Sequence, residues 1–164
     1  MTRGHTRPAR VRGAALLLWL LSVGACTASP PPPRPSPGPQ IRFVAPETGE
    51  LPPLVQRFAD EARAESRVPL VYVGATWCEP CRYFHAAAEA GELDDALPRL
   101  ALLELDRDYD GARLDAAGYG SRMIPLFVVP GPDGRGTDRR IEGSIHGPGS
   151  PNEIAPRLRA ILEP

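Results

Sequence analysis

Cys78 and Cys81 stand two residues apart in GATWCEPCRYF, residues 74–84, directly behind Trp77. Thiols at this spacing can hold a metal, staple the fold or exchange electrons with another protein, and each use needs different companions. A structural zinc site takes four ligands, whereas this chain has three cysteines, three histidines and no second CxxC. His85 falls one turn beyond Cys81, and His146 lies far along the chain. A Cu(I) site suits soft ligands and could use both thiols with Met123 or His85, so a Cu(I)-handling module stays open as an alternative. A purely structural bridge across two intervening residues closes a very small loop and constrains the unfolded chain little. Redox exchange depends on the elements that carry the two sulfurs.

Those elements read as one α/β unit from Ile41 to Pro164. Ile41–Val44 is a candidate first strand, and Leu54, Val55, Phe58 and Ala62 recur at helical spacing after the start signal Pro52-Pro53. Val68–Val73 is nearly all apolar, as in a strand covered on both faces. A helix is expected from Cys81 through Ala88, followed after Gly91 by a short helical segment to Leu97. Leu100–Asp106 reads as the next strand and Gly111–Ala117 as a short helix. Pro125–Val129 and Arg139–Gly143 flank the turn residues Gly131-Pro132-Asp133-Gly134 and read as a hairpin. A last helix opens at Pro151 and carries Ile154, Leu158, Ile161 and Leu162 on one side. From Val68 onward the order is βαβα, then ββα.

A CxxC between a buried strand and a helix puts its first sulfur at the helix N-terminus. There the unpaired N–H groups and the macrodipole favour the thiolate, which is the attacking species. Cys78 is therefore the expected nucleophile, and Cys81, in the first turn, the thiol that resolves a mixed disulfide. Pro80 suits the first helical turn, where its missing N–H is no loss. Glu79 sets a negative charge beside the thiolate and partly opposes the helix effect.

WCEPC, residues 77–81, resembles the WCxPC motif of the thioredoxin superfamily, and Met123-Ile124-Pro125 falls where that family carries a cis-proline. The resemblance spans about Val68 to Leu162. It implies the thioredoxin fold, a central mixed sheet flanked by helices, with the cis-proline loop against the disulfide. It further implies that Pro125 keeps the reactive thiol from capture by metal, that the Ile124 backbone pairs with an extended substrate segment, and that Trp77 shields the motif. The alternatives, a strand-start proline at Pro125 and a core aromatic at Trp77, stay open. The family often carries a buried acid six residues before the first cysteine, and Tyr72 stands there instead. An unperturbed phenol titrates near 10, so proton transfer is left to water, Glu79 or another acid such as Glu104. The Glu between the cysteines resembles the TlpA-like reductants of cytochrome c maturation. The compact length and the GELDDAL segment from Gly91 look more like the thioredoxin-like domain of DsbD-type interchange proteins.

Ahead of the domain, a basic stretch through Arg12 precedes the apolar run AALLLWLLSVGA, which has the length of a signal core and is short for a membrane span. Its end, Leu21-Ser22-Val23-Gly24-Ala25-Cys26, resembles the bacterial lipobox. The expectation is a lipoprotein signal peptide over residues 1–25 and lipidation of Cys26; an ordinary signal peptide with an incidental cysteine is the alternative. Residues 26–40, with SPPPPRPSPGPQ over 29–40, form a Pro-rich tether to the thioredoxin-like domain of residues 41–164. At roughly 3.1 Å per residue a dozen such residues reach about 35–40 Å.

Four of the 19 basic residues, Arg3, Arg7, Arg10 and Arg12, lie in the signal segment, which leaves 15 basic against 20 acidic residues. That balance argues against a nucleic-acid partner. The sequence thus leads to an extracytoplasmic thiol:disulfide oxidoreductase, a monomer that reduces protein disulfides with no cofactor beyond the Cys78–Cys81 couple and no metal. The expected partners are protein thiols and disulfides, a membrane electron donor, and the membrane itself through the lipid. Periplasmic exposure, with the outer membrane favoured, or the cell exterior is the expected location. A redox-inert, peptide-binding domain of the same fold is the remaining alternative.

Overall fold

Val68–Gly74 forms β2, the middle strand of a five-stranded sheet. Around it the chain supplies β1 (Ile41–Val44), α1 (Leu51–Ala64), α2 (Glu79–Glu89), β3 (Leu100–Asp106), α3 (Arg107–Ala116), β4 (Leu126–Pro130), β5 (Gly136–Glu142) and α4 (Ser150–Leu162). The computed structural model describes residues 40–163 and Met1. The expected signal peptide, Cys26 and the tether through Pro39 lie outside the described residues. Among the described residues no helix is long and apolar enough to cross a membrane.

The strand order is β1-β3-β2-β4-β5. β3 runs parallel to both β1 and β2, with Tyr72 opposite Glu104; β4 is antiparallel to β2, and β5 to β4. Because strand side chains alternate between faces, β2 sends Leu70 and Tyr72 to one layer and Val71 and Val73 to the other. The first layer holds α2 and α4 through Phe84, Ala87, Ala88, Ile154, Ala155 and Leu158. The second holds α1 and α3 through Leu54, Val55, Phe58, Ala62 and Leu114. Phe84, fully buried, meets Phe127 edge-on with ring centroids 4.9 Å apart, which anchors α2 over the middle of the sheet.

Three expectations change. Gly91–Leu97 is a run of turns and not a helix. Gly91, at φ +74°, ends α2 in a Schellman arrangement in which the N–H of Glu92 reaches Ala87 O at 2.9 Å. The third helix starts at Arg107, four residues before Gly111. Asp106 sits at its N-cap and accepts from the N–H groups of Asp108 and Tyr109 at 2.7 and 3.2 Å, so the strand's last residue opens the next helix. The hairpin's second strand likewise begins earlier than read, at Gly136.

Candidate active site

Cys78 is the N-cap of α2. Its Sγ accepts from the N–H of Cys81 at 3.3 Å, and its carbonyl accepts from Arg82 N at 3.2 Å. β2 brings the chain to this point inside the sheet, and the spacing of Pro80, Cys81, Phe84, Ala87 and Ala88 buries one face of the helix that follows. The two cysteines are joined in a disulfide. Each is only 3% exposed.

The two cysteines nevertheless line different spaces. Cys78 lines an open groove of about 520 Å³ with Trp77, Glu79, Pro80, Ile124, Met123 and His146, among others. Trp77 and Met123 are 59% and 57% exposed, so the groove has apolar walls. Arg107 and Arg122 also line it and add positive charge on the Cys78 side. Cys81 instead lines a second cavity of about 530 Å³ whose other walls include Tyr72, His85, Glu104 and Asp106.

The structure therefore brings Trp77, Cys78, Glu79, Pro80 and Ile124 together. The Ile124–Pro125 peptide is cis, and the carbonyl of Pro125 accepts from the N–H of Gly143 at 2.8 Å. That bond ties the segment before β4 to the end of β5. Arg157 of α4 then donates to the carbonyls of Glu142 and Gly143 at 3.0 and 2.9 Å, which anchors the loop bearing Ser144 and His146 beside the groove.

Two partners of the motif were not legible in the sequence. The indole Nε1–H of Trp77 donates to Asp108 Oδ2 at 2.8 Å, and His146 Nδ1 lies 2.7 Å from Glu79 Oε2. Asp108 and His146 carry no local signal, since they stand 31 and 67 residues from the groups they meet.

Tyr72 is 1% exposed and packs among Phe43, Phe84 and Phe127. Burial first, and the charge of Glu104 second, hold its phenol far above the ordinary value of 10, so Tyr72 stays neutral. His85 Nε2 lies 2.8 Å from Glu104 Oε1, and the His85 ring stacks on Phe43 at 3.8 Å between centroids. Among the described residues no group of three or more His, Cys, Asp or Glu is placed to hold a metal.

No family model and no curated protein matches the chain. Among solved structures it is similar to a mutant thioredoxin from Halobacterium salinarum NRC-1, at 17% identity and a TM-score of 0.45, covering 79% of this chain and 98% of that one. It is also similar to Trichomonas vaginalis thioredoxin, at 22% identity and a TM-score of 0.40, covering 64% and 86%. A CxxC-spaced disulfide at the head of a helix supports thiol–disulfide chemistry in general. With that disulfide leading the helix after the middle strand, a cis X-Pro bond ahead of β4 and a mixed sheet ordered β1-β3-β2-β4-β5, the chain has the thioredoxin fold.

Proposed function

We propose that the protein is a thiol:disulfide oxidoreductase that reduces disulfides in other proteins outside the cytoplasm, held at the membrane by a lipid on Cys26. The observation that carries the chemistry is the division of the two cysteines between separate cavities. Cys78 caps α2 and lines the open groove, while Cys81 sits one helical turn inward against a separate cavity.

In the reduced protein the Cys78 thiolate is held at the helix N-terminus by the N–H of Cys81 and attacks a substrate disulfide. One substrate sulfur leaves as a thiolate and the other is bonded to Cys78. Cys81 then attacks Cys78 Sγ, the intramolecular disulfide forms, and the second substrate sulfur departs. Two electrons pass from the dithiol to the substrate. The Ile124 backbone and the apolar groove wall of Trp77 and Met123 suit an extended segment carrying the target cystine, and Pro125, joined to Ile124 by the cis bond, is the guard against metal capture that the family resemblance implies. A membrane donor returns the electrons, and the tether of residues 26–40 supplies the reach. Reduction is favoured over oxidation because Glu79, between the cysteines, cannot stabilise the Cys78 thiolate as a cation there would.

The test is trapping. Cys81→Ser expressed in cells accumulates mixed disulfides through Cys78 that dissolve on reduction, and the variant lacking both thiols accumulates none. Absence of reducible adducts with Cys81→Ser overturns the reading. Tight Cu(I) binding, or partner binding that survives loss of both thiols, then identifies the rival that replaces it.

A further inference from the structure

The step that releases substrate requires Cys81 to lose a proton, and Cys81 is almost wholly buried. Burial of a thiol in apolar surroundings disfavours its thiolate. A base reaching this sulfur must come through the cavity it lines. The ionisable side chains on that cavity are Arg82, His85 and Glu89 of α2, Tyr72 of β2, Glu104 and Asp106 of β3, and Asp110 of α3.

Most are committed elsewhere. Tyr72 stays neutral, as above. Arg82 donates to Thr76 O at 3.4 Å and, as a guanidinium, accepts nothing. Asp106 caps α3. Asp110 is held by Arg113 at 2.8 Å and by the N–H of Asp106 at 2.8 Å. Glu89 lies at the far end of α2, two turns from Cys81. His85 and Glu104 remain, and they are bonded to each other at 2.8 Å. His85 follows Cys81 by four residues on the helix, the spacing that places side chains on one face. Glu104, as a carboxylate, only accepts, so His85 Nε2 carries the hydrogen between them, and in the neutral ring Nδ1 is left with the lone pair. Stacking on Phe43 fixes the plane of the ring.

Resting on the thiol–disulfide reading given above, we propose that His85 and Glu104 form a proton relay for Cys81. In the mixed disulfide, the Cys81 thiol passes its proton through solvent in the cavity to His85 Nδ1, and Glu104 stabilises the imidazolium. The Cys81 thiolate attacks Cys78 Sγ; the Cys78–Cys81 bond forms and the Cys78–substrate bond breaks. The substrate leaves as a thiolate and is protonated by solvent. His85 afterwards returns its proton to water, so no proton or electron is left unaccounted for.

The experiment separates the two chemical steps. Full-length protein in detergent, carrying Cys26→Ser, is reduced and mixed with an aromatic disulfide that releases one chromophoric thiolate when Cys78 attacks and a second when Cys81 resolves. Both phases are followed from pH 6 to pH 9.5. His85→Gln and Glu104→Gln are expected to leave the first phase within about twofold and to slow the second by about 100-fold at pH 6–7, the lower range of general-base effects. The profiles approach each other as pH rises and hydroxide takes the Cys81 proton without the relay, and Glu104→Asp restores part of the rate. Both side chains are partly exposed, and thermal unfolding midpoints check that the variants fold. Superimposable second-phase profiles, or equal loss of both phases in a folded variant, overturn the relay while leaving the thiol–disulfide reading intact. A wild-type protein without a second phase overturns both.

Discussion

Trp77 and Asp108 are joined by a 2.8 Å bond from indole Nε1–H to carboxylate, which ties the residue before Cys78 to the first turn of α3. Both groups are exposed, so the bond contributes little to stability. Its role is to fix the ring that walls the nucleophile. Asp108→Ala is expected to cost less than about 1 kcal/mol of stability. It should slow attack on a protein disulfide several-fold, short of the hundredfold that follows when a reacting group itself is misplaced. Urea unfolding and single-turnover reduction of a cystine protein check the two halves, and a loss of several kcal/mol would make the contact structural.

Glu79 is the one acidic side chain in the first turn of α2, and His146 meets it at 2.7 Å. A negative charge beside Cys78 opposes its thiolate, and the contact with His146 draws on that carboxylate. Glu79→Gln is expected to raise the alkylation rate of reduced Cys78 at pH 7 by about 2–5-fold, because the thiolate is the reactive form. His146→Ala, which removes the partner 2.7 Å from the Glu79 carboxylate, should lower it. Equal rates in all three proteins would show that the pair does not act on the sulfur.

A protein reductant needs a potential near that of thioredoxin. Equilibrating the Cys78–Cys81 pair against glutathione buffers, read by thiol alkylation and mass shift, is expected to give about −270 mV. A value nearer about −120 mV reverses the direction of the reaction and makes the protein an oxidant.

Burial raises the phenols of both Tyr72 and Tyr119 well above 10, helped by Glu104 and Asp133 respectively. In the unfolded chain each ionises near 10. A raised folded value means that the stability these groups contribute is fully present below pH 10 and is lost as pH climbs from there towards the folded value. Each phenol then removes up to about 1.4 kcal/mol per pH unit. Urea midpoints should hold steady to pH 9.5 and fall beyond it, and Tyr72→Phe should make the fall shallower. A wild-type curve that is flat to pH 11 contradicts this.

The strands, the hairpin and the position of the CxxC at a strand–helix junction were legible because apolar runs and turn residues mark them locally. Leu70, Tyr72, Val71 and Val73 show why the layers were not. A strand apolar on both faces carries no alternation, so nothing in it says which side meets α2. Asp106 was readable as the last strand residue but not as a helix cap, since capping depends on the chain turning after it. Gly91 signalled the end of α2, yet the polar Glu92, Asp94 and Asp95 that follow fold as turns. Glu104 was a candidate for proton transfer, while its partner His85 entered only as a metal ligand. Their bond depends on α2 crossing β3, which no local pattern encodes.

The N–H of Cys81 that meets Cys78 Sγ belongs to the backbone of a helix whose buried face, through Phe84, is packed on Phe127 and the sheet. A donor so placed serves the sulfur equally as half of a disulfide and as a thiolate, because neither form requires the peptide to turn. On the proposed reading, the helix therefore need not shift for this donor to meet the Cys78 sulfur in either redox form.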